Sequence, residues 1–116
     1  MLRVKLIIIL AFAAIGIAAC GSSKQDRYSI VESSGYESSL FRQHCAICHG
    51  PEGEGKTLDD GTIVPSLRAG EFKKVGEAAI YDQISEGGNG MTPFRTQLTE
   101  REMRLLTDLV HNKLRQ

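Results

Sequence analysis

Hydrophobic and polar positions divide the chain into an apolar start, a polar stretch and a longer part with helical periodicity. Residues 6–19, LIIILAFAAIGIAA, form an unbroken apolar run. This run is shorter than the about 20 residues that a transmembrane helix needs, but it suits the apolar part of a secretory signal. Residues 21–34, GSSKQDRYSIVESS, are polar and serine-rich and predict a flexible tether. Tyr28, Ile30 and Val31 are out of character for a linker, so we expect the end of this stretch to pack on the domain that follows.

The first helical segment ends at a pair of cysteines. Leu40 and Phe41 lie about one turn ahead of Cys45, in a stretch without proline or internal glycine. This pattern predicts a helix of about three turns that starts near Gly35 and ends at the CHG of residues 48–50. A long loop rich in glycine, proline and aspartate follows. The acidic side chains of this loop are expected to lie in solvent rather than to bind a cation: Glu52, Glu54, Asp59 and Asp60.

Two further helices are predicted after this loop. In EAAIYDQIS, Ile80 and Ile84 lie one turn apart, and the pair Gly87–Gly88 ends the helix. The last helix begins after Thr99, with Glu102 at the capping-box distance. Its apolar stripe consists of Met103, Leu105, Leu106, Leu109, Val110 and Leu114. No alternating strand pattern appears, so the fold class is predicted to be all-α, with about three to five helices.

Composition limits the kinds of partner and the strength of the core. The 14 lysine and arginine residues balance the 14 aspartate and glutamate residues. Residues 1–19 hold two of the basic groups, Arg3 and Lys5, and no acid. So mild a balance argues against a nucleic-acid-binding protein, which would carry a basic stripe. A domain of about 80 residues without tryptophan also has little apolar surface to bury, so we expect something other than side chains to staple it.

Cys20 directly follows the apolar run and the small residues before it, in the sequence IAAC. This arrangement resembles the lipobox of bacterial lipoproteins, in which the signal peptide is removed and the new N-terminal cysteine carries lipid. We therefore expect residues 1–19 to be a removed signal peptide, residues 20–34 to be a lipidated cysteine with a polar tether, and residues 35–116 to be the folded domain. Two or three acyl chains would hold the domain stably on a membrane. An uncleaved signal anchor with a spare thiol at Cys20 is the alternative.

Cys45, Cys48 and His49 form the motif C-x-x-C-H. Residues three apart lie on the same face of a helix, about one turn apart along its axis. Two thiols in this position can each bond one vinyl group of a single haem, and His49 at the helix end can turn its imidazole towards the iron. C-x-x-C-H is the haem-attachment signature, so the motif predicts a covalently bound haem.

Other uses of the two cysteines are less well supported. A thioredoxin-like C-x-x-C needs a βαβ setting, which the pattern does not show. A zinc site needs four ligands, and only the scattered His44 and His111 remain, which we expect to be solvated. A disulfide between residues three apart closes too short a loop to add much stability.

Residues 35–114 resemble a class I monohaem cytochrome c. The matching stretches occur in the order of that family: LFRQHCAICHG, VPSL, GGNGMTPF and LTEREMRLLTDLV. The resemblance implies the small cytochrome c fold, in which helices wrap around one covalently bound haem c. It also implies that Met91 is the axial ligand opposite His49, and that the carbonyl of Pro65 accepts a hydrogen bond from the other ring nitrogen of that histidine. Met103 lies on the apolar stripe of the last helix and is expected to be a core residue instead.

A haem iron held by His49 and Met91 has no open position for a substrate, so the resemblance implies an electron carrier rather than an enzyme. We expect a lipoprotein on the extracytoplasmic, periplasmic side of a bacterial membrane, either as a monomer or as a subunit of a complex. Its expected partners are redox proteins that donate and accept electrons. Two alternatives remain: a haem subunit of an oxidoreductase complex, and a haem peroxidase or gas sensor in which Met91 is labile.

Mass spectrometry of the mature protein tests the predicted anchor. Because the lipobox directs cleavage before its cysteine, we expect a chain that begins at Cys20 and carries acyl groups on that residue. An unmodified thiol on an uncleaved chain would contradict this prediction.

Overall fold

The computed structural model describes residues 27–115. In chain order its elements are α1 (Tyr36–His44), α2 (Ala46–His49), β1 (Lys56–Thr57), β2 (Ile63–Val64), α3 (Glu77–Glu86) and α4 (Glu100–Asp108), which continues as a π-helical segment (Leu109–Leu114). The prediction of a small, mainly helical domain with three to five helices is confirmed. The predicted signal peptide, the lipidation site at Cys20 and the first part of the tether lie outside the described residues. Within the described part of the chain, no helix combines the length and apolarity needed to cross a bilayer.

The helix predicted to run through the motif is interrupted at Cys45. This residue has φ −113° and ψ −37° and separates α1 from the single turn of α2. Its N–H still donates to the carbonyl of Phe41 at 2.8 Å. Its carbonyl accepts from the N–H of Cys48 at 3.2 Å and from that of His49 at 2.9 Å. The first of these two is a bond between residues three apart, which tightens the turn. Cys48 and His49 therefore lie on a separate short helix, and Cys45 lies at the break before it.

A small antiparallel ribbon folds the long loop back on itself. Lys56 of β1 pairs with Val64 of β2, and Thr57 pairs with Ile63. The sequence pattern gives no sign of this ribbon, because strands of two residues are too short to show alternation. Gly55, just before β1, lies directly against the backbone of Val64. The ribbon thus brings the chain before Pro65 close to the chain that follows the motif.

The predicted limits of α3 and α4 agree with the structure. α3 ends at Gly87, which has φ +70° and donates its N–H to the carbonyl of Gln83 at 3.0 Å. At the start of α4, the side chain of Thr99 accepts from the N–H of Glu102, and the Glu102 carboxylate accepts from the N–H of Thr99 at 2.8 Å. This reciprocal pair satisfies donors that a helix start leaves open. The predicted capping box is confirmed.

The hydrophobic core lies where α4 packs against α1 and α3. Phe41 of α1 and Leu106 of α4 are each only 1% exposed. Gly53, in the loop after α2, reaches the same place, because a Cβ there would lie 3.3 Å from Leu114 and 3.5 Å from Phe41. Met103 is buried, as predicted. The buried apolar residues are Ile30, Leu40, Phe41, Ile80, Ile84, Leu98, Met103, Leu106, Leu109, Val110 and Leu114.

The packed domain begins earlier than predicted. Ile30 is completely buried in the core. The carboxylate of Glu52 accepts hydrogen bonds from the N–H groups of Ile30 and Val31, both at 2.9 Å, and from the hydroxyl of Ser29 at 2.8 Å. The predicted tether of residues 20–34 is therefore too long at its end, whereas the expected packing of Ile30 on the domain is confirmed.

Glu52 also forms an ion pair with Arg68, whose side chain is 3% exposed. Nη2 of Arg68 lies 2.6 Å from Oε2 of Glu52. Nε of Arg68 also donates to the backbone carbonyl of Glu52. Burial by itself raises the pKa of Glu52, but the backbone N–H groups of Val31 and Ile30 and the charge of Arg68 together hold that pKa below its ordinary value. The expectation that Glu52 is solvated is wrong, because this carboxylate fastens the N-terminal segment to the domain.

Replacing Glu52 by glutamine should lower the free energy of unfolding by about 1–3 kcal/mol, because hydrogen bonds to a charged group are lost while the buried Arg68 keeps its charge. Urea unfolding of the purified protein at pH 7 measures this loss. Asp59→Asn is the control, since Asp59 is an exposed acid of the same loop, and it should change stability by less than about 0.5 kcal/mol. Equal stabilities of the wild type and Glu52→Gln would contradict the prediction.

The same variant should change the dependence of stability on pH. Folding lowers the pKa of Glu52 from its ordinary value of 4.5. The stability that it contributes is therefore present above about pH 4.5 and is lost as the pH falls through the folded pKa. As the pH falls below 4.5, the free energy of unfolding should decrease more for the wild type than for Glu52→Gln. The stabilities of the two proteins should therefore converge at low pH.

Candidate functional site

The C-x-x-C-H motif lies at the junction of α1 and α2. Cys45 is half-buried and packs against the core, whereas Cys48 is exposed, and both are free thiols. Because they are three residues apart, their side chains lie about one helical turn apart. His49 is the last residue of α2 and is half-buried, and Gly50, with φ +84°, ends the helix. The junction thus presents two thiols and an imidazole within five consecutive residues.

Burial controls the charge of Cys45 and His49, the two half-buried groups of the motif. It raises the pKa of the Cys45 thiol to about 12, and the neighbouring Cys48 adds to this shift. Cys45 is therefore a neutral thiol at pH 7, whereas thiol–disulfide exchange needs a thiolate. Burial also lowers the pKa of His49. Its imidazole is therefore neutral at pH 7, which is the form that binds a metal.

The imidazole of His49 contains a polar atom without a partner. Nδ1 is buried and makes no hydrogen bond. The hydrogen bond that the resemblance implies between this nitrogen and the carbonyl of Pro65 is therefore not formed in the structure. Pro65 nevertheless lies near the motif through Gly55. The N–H of Gly55 donates to the carbonyl of His49 at 2.8 Å, and a Cβ on Gly55 would lie 2.8 Å from the carbonyl carbon of Pro65.

Met91 closes a tight turn that follows α3. Gly88 and Met91 exchange two backbone hydrogen bonds, of 2.9 and 3.0 Å. Between them, Asn89 has φ +52° and Gly90 has φ +85°. Positive φ at both central positions is typical of a type I′ turn, for which Asn-Gly is a preferred sequence. Met91 is half-buried, and the turn holds it against the core that Cys45 also contacts.

Gly87 allows the chain to fold back towards Met91. A Cβ on Gly87 would lie 2.4 Å from the carbonyl oxygen of Met91 and 2.7 Å from the nitrogen of Pro93. Gly87 also has φ +70° and ψ −147°, close to a region that is essentially restricted to glycine. Any other residue here would displace the backbone that carries Met91.

Phe94 connects the Met91 turn to α1. Its N–H donates to the carbonyl of Ile84 at 3.0 Å. Its ring meets the imidazole of His44 edge-on, with 6.1 Å between the ring centroids. His44 is half-buried by this contact, so the expectation that it is solvated is wrong. No local pattern signals a contact between side chains so far apart in the sequence.

Gln83 is a second residue that the sequence analysis missed. Its Nε2 lies 3.0 Å from the carbonyl oxygens of both Gly87 and Gly88, and 3.8 Å from Sδ of Met91. The sequence carries one local signal: Gln83 lies one turn before the glycine pair that follows α3, where a side-chain donor can reach the carbonyls just beyond the helix end.

The donors at this site suit a haem iron. A neutral imidazole, a thioether and two thiols for covalent attachment are the groups by which proteins hold haem c. The unpartnered Nδ1 shows that the ring of His49 is not already committed to a structural hydrogen bond at this atom. A structural zinc site would need four ligands, and within residues 27–115 no three His, Cys, Asp or Glu side chains gather into a metal-binding group.

The family model for subunit III of cbb3-type cytochrome c oxidase matches residues 38–110, a range that includes the C-x-x-C-H motif and Met91. The chain belongs to this family of c-type cytochromes. A solved structure, the KustC0563 c-type cytochrome, is similar over 67% of this chain and 95% of that chain, with 31% sequence identity and a TM-score of 0.58. No curated protein matched the sequence.

Membership of this family agrees with the small helical domain described above. It implies covalently bound haem c and a role in electron transfer rather than in catalysis. C-type cytochromes typically work outside the cytoplasm, which agrees with the apolar N-terminal run of the sequence.

In this cytochrome, Gly87→Ala should lower the free energy of unfolding by about 2–4 kcal/mol, because a strained backbone and a forced contact each cost about 1–3 kcal/mol. Thermal or urea unfolding measures the effect. Gly90→Ala is the matched control, since Gly90 also has a positive φ but nothing lies within 4 Å of a Cβ there. It should cost only about 1 kcal/mol. Equal losses would show that the space beside Gly87 is not restrictive.

Proposed function

We propose that this c-type cytochrome is a membrane-tethered electron carrier with one haem, attached through Cys45 and Cys48 and ligated by His49 and Met91. The observation that carries the proposal is the junction of α1 and α2, where two free thiols and a neutral imidazole lie together. Met91 packs against the same core as Cys45. The alternation of a single haem iron between ferrous and ferric states would supply the transfer of one electron at a time.

The two cysteines support a fixed cofactor. Cys45 contacts the core and Cys48 is open to solvent. One attachment point would therefore lie at the hydrophobic core and the other at the protein surface. In the haem-free chain, burial keeps the Cys45 thiol neutral and so disfavours thiol–disulfide exchange before attachment. Covalent attachment at both positions would prevent loss of the haem during repeated electron exchange.

The two proposed axial ligands support a carrier rather than an enzyme. His49 is neutral at pH 7, and Met91 offers a soft, uncharged sulfur. A thioether ligand favours the ferrous state and raises the reduction potential relative to a second nitrogen ligand. Both side chains are half-buried, which limits the access of water. With both axial positions filled, no position is left for a substrate.

A partner surface is proposed beside the motif. Ile47 is 75% exposed, although it lies between the two cysteines on α2. An exposed apolar side chain next to a covalently held haem suits the small, short-lived contacts of electron-transfer proteins. We expect the electron donor and the electron acceptor, both redox proteins, to touch this surface.

Lipid on Cys20 would keep the cytochrome at the membrane surface. The folded domain starts at the segment that contains Ile30, which Glu52 holds in place. The residues between Cys20 and this segment can span at most about 3.5 Å each. The short link supports a carrier that exchanges electrons with partners in or at the same membrane.

The matching family description favours a second candidate function. It names an oxidase subunit, and the second candidate is therefore a haem subunit of an oxidoreductase complex. Purification in a mild detergent distinguishes the two roles. A permanent subunit should elute together with its oxidase, whereas a carrier should elute alone.

Replacing Met91 by leucine tests the ligand and the carrier role. The reduced wild type should keep its absorption spectrum under carbon monoxide, because no coordination position is open. Met91→Leu should retain covalently attached haem, bind carbon monoxide and have a lower reduction potential, because the thioether is lost. Met103→Leu, the same change at a buried core methionine, is the control and should match the wild type in potential and spectrum.

Two results of this experiment would contradict the proposal. A wild type that rapidly forms a carbon monoxide adduct would favour a gas sensor or peroxidase with a labile ligand. An unchanged potential in Met91→Leu would show that another group binds the iron.

A further inference from the structure

We infer that Gln83 positions the sulfur of Met91 and thereby sets how firmly that sulfur holds the haem iron. This inference rests on the proposed role of Met91 as the axial ligand. Gln83 is half-buried on α3, and its side-chain nitrogen faces the turn that contains Met91. Gln83 is not part of the C-x-x-C-H motif and lies far from it in the sequence.

The partners of the Gln83 amide fix its orientation. Nε2 lies 3.0 Å from the carbonyl oxygens of Gly87 and Gly88. An amide oxygen in its place would face two other oxygens, so the nitrogen must occupy this position. The same nitrogen lies 3.8 Å from Sδ of Met91, and a thioether is a weak acceptor. Because the amide has two N–H groups for three acceptors, the N–H that faces the sulfur is shared with one of the two carbonyls. Within residues 27–115, no other hydrogen bond is recorded to this sulfur.

The backbone that carries Gln83 is itself held in place. Ile80 and Ile84, on either side of it in α3, are 4% and 7% exposed and belong to the core. Their burial fixes the helix, and the Gln83 side chain connects this fixed helix to the turn. Backbone hydrogen bonds from Phe94 to Ile84 and from Arg95 to Ser85 hold the chain after the turn to α3. The Gln83 side chain adds the contact that reaches the Met91 sulfur itself.

The contact with sulfur has two chemical consequences. A thioether sulfur has two lone pairs, and a donor directed at one of them leaves the other for a metal, so the position of Gln83 selects the side of the sulfur that binds. The hydrogen bond also withdraws electron density from the sulfur. A sulfur that donates less density stabilises ferric iron less, which raises the reduction potential.

The experiment compares Gln83→Leu with Gln97→Leu in the full holoprotein. Gln97 lies between Met91 and α4 and allows the same chemical change. It is exposed, and its amide only approaches the carbonyl of Pro93, at 3.5 Å. In Gln83→Leu we expect the equilibrium between ferrous and ferric iron to shift towards ferric iron by about threefold to tenfold. A tenfold shift corresponds to a reduction potential that is lower by about 59 mV. In the reduced wild type, carbon monoxide should replace Met91 only over times much longer than the spectral test above. In Gln83→Leu we expect this slow replacement to be about ten times faster. Gln97→Leu should match the wild type in both measurements.

The inference is wrong if Gln83→Leu matches Gln97→Leu in either the potential or the rate of carbon monoxide binding. If Gln83→Leu yields no holoprotein, Gln83→Asn takes its place, because the asparagine side chain is one methylene shorter and its amide falls short of the sulfur. Gln83→Asn must then show both the lower reduction potential and the faster binding of carbon monoxide. Met91→Leu, measured in the same series, separates the two levels of the argument. A wild-type potential in Met91→Leu refutes the proposed ligand, whereas a lowered potential in Met91→Leu together with an unchanged Gln83 variant refutes only the role of Gln83.

Discussion

The packing of α1 against α4 is the constraint on which the rest of this cytochrome depends. Phe41 and Leu106 are almost completely buried where the two helices meet, and Gly53 has no side chain because Phe41 and its neighbours fill that space. Since α1 ends at Cys45, this contact fixes where the motif begins, and Gly53 fixes the loop that leaves it. The burial that makes Cys45 a neutral thiol and His49 a neutral imidazole follows from the same packing.

Two polar side chains hold segments that packing alone leaves loosely fixed. Gln83 connects a buried helix to the turn that carries Met91. Glu52, in the loop after the motif, connects the N-terminal segment at Ile30 to the buried charge of Arg68. The proposed membrane link is therefore fastened to the loop that leaves the proposed haem site, and the proposed thioether ligand is fastened to the core. A carrier that must keep its coordination while partners come and go benefits from both connections.

Short-range signals in the sequence were enough for the helices and for the chemistry of the motif. The spacing of Cys45 and Cys48, the capping box at Thr99 and the glycine that ends α3 each depend on residues a few positions apart. Such signals act through the geometry of a single helical turn or a single chain reversal, so they have the same meaning wherever the chain places them. The family resemblance adds Met91, and the structure packs it against the same core as Cys45.

Only the tertiary structure decided which polar side chains meet across the fold. An acidic loop residue such as Glu52 has the same local pattern whether it is solvated or bound to Arg68, and His44 carries no mark of its contact with Phe94. These pairings join segments distant in sequence, and they exist only where the packed helices bring those segments together. The sequence by itself therefore determined the helices, the end of α3, the start of α4 and the cysteine–histidine motif. Packing decided the pairing of charges, the break at Cys45 and the position of the Met91 turn, because these depend on space and burial that no local pattern encodes.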